Sequence, residues 1–432
     1  MIKSFKNLPE FSNVINSIGW LLFEKVFRLV VGFYVFILIA KHLGPEDFGL
    51  LNFVTALTDI FLYFSPLGLN MIVVKKFLGL RNSHDLILGS SFLAHFLGAI
   101  IFYTAAIISI YLLRPEDQVS QFLVIIAGMT IVIRSTDIIR YWFESNIQSK
   151  YIASASITSF GIFSIIKVAL VLNNAGIELI IWSIVLEQLL IALILIYISR
   201  HKGIFNQKIK AKFFFIKELL SESWPFMISA AAMLIFLKVD QIMLGEILND
   251  RAVGIYSAAV RLTEILHFLP IIIMNSFFPL LFKTNEIDRD SIVGQFQEVL
   301  IFLIRLGLIL IIPMSFFSEE IIFLFYGEEF REASKILSIH LWTAFLVFFN
   351  IVFSKWHLIE NTQIFHMEKA VVGATLNILL NLILISLYGV IGAAIATLIS
   401  LFLIEFFYDL VRGKKQIFYL KMKALKNSLL IL

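Results

Sequence analysis

The stretch VINSIGWLLFEKVFRLVVGFYVFILIA, Val14–Ala40, decides how the rest of the chain is read. Leu29–Ala40 is an unbroken apolar and glycine run, long enough with the residues before it to cross a bilayer, yet Glu24, Lys25 and Arg28 stand one or two helical turns upstream. An ionisable side chain near the bilayer centre costs about 2.5–3.5 kcal/mol on insertion scales, so such residues face a bundle interior or a water-filled cavity. Glu24 and Arg28 are four apart and Lys25 and Arg28 three apart, which puts a net positive charge on one helix face. The organising feature expected from this stretch is therefore a wet, charged interior.

Working outward, the 432 residues are 59% hydrophobic and only 15% charged, with a mean hydropathy of +0.92. Soluble domains carry about 25% charged residues, so the chain reads as an integral membrane protein. It has no cysteine and only 8 histidines, which excludes disulfides and thiolate metal sites and argues against an imidazole cluster. No metal or cofactor is expected. The net charge of +4 sits mainly in short loops, where it sets orientation, so nucleic acid is not an expected partner. Residues 1–13 are polar, and the apolar run after them is too long and too charged for a cleavable signal.

Runs of about 20 apolar residues span a bilayer, and twelve are expected: 14–40, 48–72, 86–113, 120–142, 152–172, 177–199, 224–246, 253–279, 292–316, 336–356, 370–388 and 390–410. Gly44-Pro45, Arg114-Pro115, Asn173-Asn174 and Gly327 punctuate them. Alternating ten-residue strands are absent, so the fold is all-α. With the N-terminus inside, 23 of the 35 basic residues fall on the cytoplasmic side and five on the other, as the positive-inside rule requires. The other seven, Lys25, Arg28, Arg134, Lys167, Lys238, Arg261 and Arg305, lie within expected spans.

Dense basic blocks close each run of six helices, Arg200–Lys217 and Arg412–Lys426. An echo at an offset of 205 residues aligns Leu43–Gly49 with Leu248–Gly254. The expected organisation is a six-helix lobe over 1–199, a basic cytoplasmic linker over 200–223, a second six-helix lobe over 224–410 and a basic cytoplasmic tail over 411–432. Two lobes of the same sense imply a pseudo-twofold axis along the membrane normal, with the substrate path between them.

Arg134 with Asp137, and Arg261 with Glu264, are spaced for intrahelical pairs, which offers a purely structural role for those charges. Lys167 and Arg305 have no acid three or four positions away, and a lone buried cation needs water or an anion. Glu24, Asp59, Asp137, Asp240 and Glu264 are the deep acids, while Glu187, Glu298 and Glu405 read as nearer helix ends. Seven cations against five acids make the interior modestly positive, which attracts anions and points to a phosphate-bearing substrate. The acids are candidates for binding a coupling proton or sodium ion, Asp59 and Asp240 first. Pro66, Pro270, Pro279 and Pro313 are kinks, static or hinging, and Trp20, Trp142, Trp224 and Trp356 read as interfacial anchors.

Several stretches carry a family resemblance: Ala40-Lys-His-Leu-Gly-Pro-Glu-Asp-Phe-Gly-Leu-Leu-Asn52, Leu237-Lys-Val-Asp-Gln-Ile-Met-Leu-Gly245, Val253-Gly-Ile-Tyr-Ser-Ala-Ala259, Phe277-Phe-Pro279 and Phe325-Tyr-Gly-Glu-Glu-Phe330. They resemble the polysaccharide flippases of O-antigen and related pathways, in the multidrug/oligosaccharidyl-lipid/polysaccharide exporter superfamily. The resemblance implies two six-helix lobes, a cationic cavity, and movement of an undecaprenyl-diphosphate-linked oligosaccharide to the outer leaflet of the bacterial cytoplasmic membrane. An ion gradient as driving force and a polysaccharide polymerase as partner go with it. Arginine at Arg28, Arg134, Arg261 and Arg305 suits planar recognition of phosphate oxygens. A drug exporter of the same superfamily would favour an acidic or apolar cavity. A membrane-embedded polymerase or glycosyltransferase would need a large outer loop, and the longest here is about Phe317 to Lys335.

Overall fold

The computed structural model describes residues 11–79, 84–203, 210–285, 289–360 and 362–429. The first ten residues, 204–209 of the basic linker and 430–432 of the tail lie outside the described residues. Among the described residues all regular structure is helical. The elements are α1 Phe11–Phe64, α2 Leu69–Gly79, α3 His84–Leu113, α4 Gln118–Ile133, α5 Ile138–Ser145, α6 Ser149–Leu172, α7 Ile177–His201, α8 Phe213–Ile247, α9 Asp250–Leu266, α10 Phe268–Asn285, α11 Arg289–Phe316, α12 Ser318–Tyr326, α13 Ala333–Ile359, α14 Gln363–Tyr388, α15 Val390–Phe402, α16 Tyr408–Val411 and α17 Lys415–Leu429.

Among the described residues, ten helical stretches from His84–Leu113 to Val390–Val411 are long and apolar enough to cross a membrane. The two arms of α1 make twelve. They meet at Gly44, whose φ of 69° leaves the helical region before Pro45 restarts the helix. Glycine tolerates that conformation and proline suits the first turn of a new helix, so the Gly-Pro pair separates two spans within one continuous element. The protein is a multi-pass membrane protein, and its spans follow the apolar runs.

The residues group into two compact units, one of residues up to Leu43 with Phe53–Leu234, the other of Gly44–Asn52 with Ile235 onward. In the first, Leu69, Ile72, Val73, Phe77, Ile87 and Leu88 pack with Ile138, Tyr141, Ile216 and Leu219. Lys76 is held there by Glu218 and Glu222 at 2.6 and 2.7 Å.

In the second unit the two stretches of the sequence echo lie against each other. A Cβ built on Gly49 would sit 1.7 Å from the Asp250 carbonyl oxygen, and one on Gly254 would sit 1.9 Å from that of Pro45. The two glycines thus permit a reciprocal backbone contact that no larger residue fits. Phe48 packs edge-on against Phe330 beside it.

Trp20 and Trp224 are exposed, but Trp356 is buried, its ring centroid 4.7 Å from that of Phe296. The interfacial role expected of Trp356 is replaced by core packing, because the C-terminal end of α13 is covered by α11.

Candidate functional site

The first unit gathers charge where α1, α6 and α7 meet. Arg28 lies over the Phe160 ring with its guanidinium carbon 4.7 Å from the centroid. Its Nη2 is 3.5 Å from Glu187 Oε1. Lys167 Nζ donates to the other oxygen of the same carboxylate at 2.7 Å. Two expectations change here. Lys167 is no lone cation, since it is buried against Glu187. Glu187 is not near a helix end but ten residues into α7, buried. Their pairing crosses from one helix to the next, so spacing along one helix could not reveal it. Glu24 is buried one turn before Arg28, and Lys25 is exposed.

Farther along this unit, α4 breaks into a 3-10 turn, Arg134–Asp137, before α5 continues the span. Arg134 Nε donates to Asp137 Oδ2 at 3.0 Å, the expected pair. His95 of α3, missed in the sequence because it stands alone, is fully buried with neither ring nitrogen partnered among the described residues. Asp59 is half-buried on the second arm of α1.

In the second unit, Asp240 of α8 is almost fully buried and takes its hydrogen bonds from neutral groups. The Tyr256 hydroxyl donates to Oδ2 at 2.5 Å, the Thr397 hydroxyl to Oδ2 at 2.6 Å and Asn381 Nδ2 to Oδ1 at 2.6 Å. Asn381 also donates to Asn377 Oδ1 at 3.1 Å. Asn381 Oδ1 is buried and, among the described residues, without a donor. Helices α8, α9, α14 and α15 thus converge on one carboxylate held by two hydroxyl donors and one amide N–H donor. Asp240 is not paired with Lys238; its partners come from the neighbouring helices α9, α14 and α15. Tyr256, Asn377, Asn381 and Thr397 were not legible as a site, being common core polars spread over about 140 residues of sequence.

Arg261 and Glu264 pair at 3.1 Å as their spacing predicts, with half-buried Lys238 in electrostatic reach of Glu264. Arg305 differs from expectation. Its Nη2 donates to the Asn427 carbonyl at 3.1 Å, so part of its donor capacity fastens α17 rather than meeting an anion.

The second unit also holds a compact ionic core absent from the sequence reading. Lys421 Nζ lies 2.7 Å from Glu405 and 2.9 Å from Asp409. Lys369 meets the same two acids at 3.4 and 3.2 Å, and Asn350 donates to Glu405 at 2.9 Å. A π-helical turn over Leu403–Phe407 places Glu405 inward, as such turns commonly reset side-chain direction at functional or packed sites. Glu405, expected near a helix end, is fully buried there. Two cations against two anions leave this cluster neutral.

Three of the arginine pairs, those of Arg28, Arg134 and Arg261, share a pattern. Arg28 is 36% exposed against 5% for Glu187, Arg134 36% against 17% for Asp137, and Arg261 40% against 32% for Glu264. In each pair the acid is the more buried partner and the arginine the more exposed. With five donors in a planar fork, an arginine holding one carboxylate can still donate to a second oxyanion. Among the described residues no group of three or more His, Asp or Glu side chains is arranged to hold a metal ion.

The polysaccharide biosynthesis protein family model matches residues 14–285, and the MatE family model matches residues 225–383. The chain is 28% identical over 166 residues to the "Probable low-salt glycan biosynthesis flippase Agl15" of Haloferax volcanii, covering 38% of this chain and 34% of that protein. The alignment thus spans about a third of that flippase. It is 24% identical over 430 residues to an uncharacterized membrane protein of Methanocaldococcus jannaschii, covering 91% and 82% of the two chains. Among solved structures it resembles the lipid II flippase MurJ in an inward closed conformation, with a TM-score of 0.72, 17% identity and coverage of 96% and 92%. It also resembles an inward-facing multidrug resistance MATE transporter, with a TM-score of 0.70, 12% identity and coverage of 92% and 96%. These likenesses establish the fold, all-α with twelve membrane helices in two six-helix lobes. With one family model matching well over half of its length, the chain belongs to the polysaccharide biosynthesis protein family, within the multidrug/oligosaccharidyl-lipid/polysaccharide exporter superfamily.

Proposed function

We propose that the protein is a flippase that carries an undecaprenyl-diphosphate-linked oligosaccharide from the inner to the outer leaflet of the cytoplasmic membrane by alternating access, supplying O-antigen or another surface polysaccharide. The observation that carries this reading is the set of arginines, Arg28, Arg134 and Arg261, each backed by an acid and each the more exposed partner. A diphosphate presents oxyanions to such groups, which bind them through charge-assisted hydrogen bonds about twice as strong as neutral ones. Glycan is hydrated and follows the same wet surface. The names of the Haloferax and MurJ relatives favour a lipid-linked glycan as cargo. A cation exporter is less well served, because the exposed edges are positive. The termini are cytoplasmic in this reading, and a polysaccharide polymerase acts on the product.

Asp240 is the coupling group. A carboxylate buried among hydroxyls and amides, with no cation paired to it among the described residues, gains most from a proton or a sodium ion. Binding that ion changes how tightly α8, α9, α14 and α15 are held together, which is a local two-state element that a gradient can bias. The test is flipping of a lipid-linked oligosaccharide in vesicles under an imposed proton or sodium gradient. Asp240→Asn is expected to keep gradient-independent exchange and to lose most of the gradient's acceleration. A variant accelerated as strongly as the wild type would remove Asp240 from coupling.

A further inference from the structure

Helix α8 belongs to both compact units. Its residues up to Leu234 go with the first and those from Ile235 with the second, yet it runs unbroken from Phe213 to Ile247. Alternating access rocks one half of such a molecule against the other, so a helix shared by two units must either bend at the boundary or let go at one end. Sharp kinks arise at proline, at glycine pairs or at helical bulges. Residues 226–244 contain neither proline nor glycine and include three successive alanines, Ala230, Ala231 and Ala232, the residue of highest helix propensity. The proline of α8, Pro225, lies toward its other end. The boundary is therefore stiff, and the grip at the start of α8 is the place that can give.

That grip is on α2 and on the turn before it. Phe215, Ile216 and Leu219 cluster with Leu69, Ile72, Val73 and Phe77. A Cβ built on Gly68 would sit 2.3 Å from the Ser223 carbonyl oxygen, and the Ser223 hydroxyl donates to the Leu67 carbonyl at 2.7 Å. Leu67 has a φ of 54° and Gly68 one of 71°. A leucine rarely adopts that conformation, so Ser223 holds a strained turn that can relax when the hold is lost. Beyond the apolar contact, Lys76 Nζ donates to Glu218 Oε1 at 2.6 Å and to Glu222 Oε1 at 2.7 Å. The two glutamates are four apart on one face of α8, so one ammonium bridges both.

This set differs from the ionic core around Lys421. There the charges are buried and two cations meet two acids. Here Lys76 is 16% exposed and the glutamates 37% and 36%. Water reaches each partner, so breaking the contact strands no fully buried charge. The set also holds one acid more than it has cations. Taking away Lys76 leaves two like charges four residues apart, which repel, whereas taking away one glutamate leaves a matched pair.

We infer that Lys76, Glu218 and Glu222 form a latch, closed in this structure, whose release lets the start of α8 leave α2 during transport. The inference rests on the flippase reading for its place in a transport cycle. The latch itself rests on the contacts of α2 and α8 alone.

The chain has no cysteine, so Lys75→Cys with Ser221→Cys, both exposed and outside the latch, takes two spin labels. Pulsed dipolar EPR then reads their separation in nanodiscs of phosphatidylethanolamine and phosphatidylglycerol. A short separation is expected to dominate when the latch is unaltered. Lys76→Met should raise the population at longer separation at least about fivefold, Lys76→Arg should restore the short one, and Glu218→Gln should change the ratio less than about twofold. A distribution the same in Lys76→Met as with the latch unaltered would overturn the latch. Its release is tested by bridging Lys76→Cys to Glu222→Cys with a bis-methanethiosulfonate, which dithiothreitol removes. Bridging is expected to slow flipping of a lipid-linked oligosaccharide in vesicles at least about tenfold, and reduction to restore it, while either single cysteine treated in the same way keeps its rate. Flipping by the bridged protein at the unbridged rate would overturn release as a step of transport. The EPR measurement needs no cargo, so separations that respond to Lys76 in a protein that flips nothing would defeat the flippase reading and leave the latch standing.

Discussion

Lys421 is fully buried, 2.7 Å from Glu405, with its ammonium also 4.5 Å from the centroid of the Phe353 ring. Removing one member of a buried ion cluster strands the others, at a cost of about 3–5 kcal/mol. Lys421→Met is therefore expected to lower the thermal unfolding midpoint of the purified protein sharply, and adding Asp409→Asn, which restores neutrality, should recover much of the loss. A double variant as unstable as the sum of the two singles would show that the four charges do not act together. This cluster was invisible in the sequence for a physical reason. Lysines in a basic tail are normally solvated, and nothing in local spacing marks Lys421 as buried while Lys423 stays exposed. The same holds for Glu187, whose partners are 20 and 159 residues away. Only Arg134 with Asp137 and Arg261 with Glu264 were readable, because helical periodicity alone brings them together.

At the scale of elements, the spans were legible because lipid requires long apolar runs and leaves a simple trace in composition. The Leu43–Gly49 and Leu248–Gly254 echo was also legible, but not that the two stretches interlock through Gly49 and Gly254. Gly49→Ala and Gly254→Ala each place a methyl within 2 Å of a backbone oxygen. Overpacking of this kind costs about 1–3 kcal/mol or more. Both variants should unfold at lower temperature than Gly19→Ala, where a Cβ meets nothing, and equal stability of all three would contradict the close contact. At the start of α4, Asp117 caps the helix by accepting the Ser120 amide at 3.0 Å and lies 3.4 Å from Arg114. Partial burial alone would raise its carboxyl, but the hydrogen bonds from Ser120 and the charge of Arg114 hold it below the ordinary value of 3.8. A depressed carboxyl stabilises the fold above its unfolded pKa and loses that contribution as pH falls through its folded pKa. Asp117→Ala should thus cost about 1 kcal/mol at neutral pH, with the gap to the wild type narrowing below about pH 4. A gap that does not change with pH would assign the cap to shape rather than charge.

Over the whole molecule, the charges of the membrane interior sort into three kinds. Lys369, Lys421, Glu405 and Asp409 are closed upon themselves, Asp240 is an acid among neutral donors, and Arg28, Arg134 and Arg261 are cations each paired with an acid and more exposed than it. The sequence suggested a positive interior by counting, and counting could not separate these kinds, because that depends on which helix faces which. Neutralising these arginines should affect cargo handling far more than stability, since each is partly exposed. The most direct measurement is the rate of flipping of a lipid-linked oligosaccharide in proteoliposomes by the wild type and by an Arg28→Ala, Arg261→Ala double variant reconstituted at equal density. Loss of two charge-assisted phosphate contacts of about 1.5–3 kcal/mol each predicts a fall of at least about a hundredfold, with the unfolding temperature nearly unchanged. Flipping at the wild-type rate by a fully folded double variant would contradict the account.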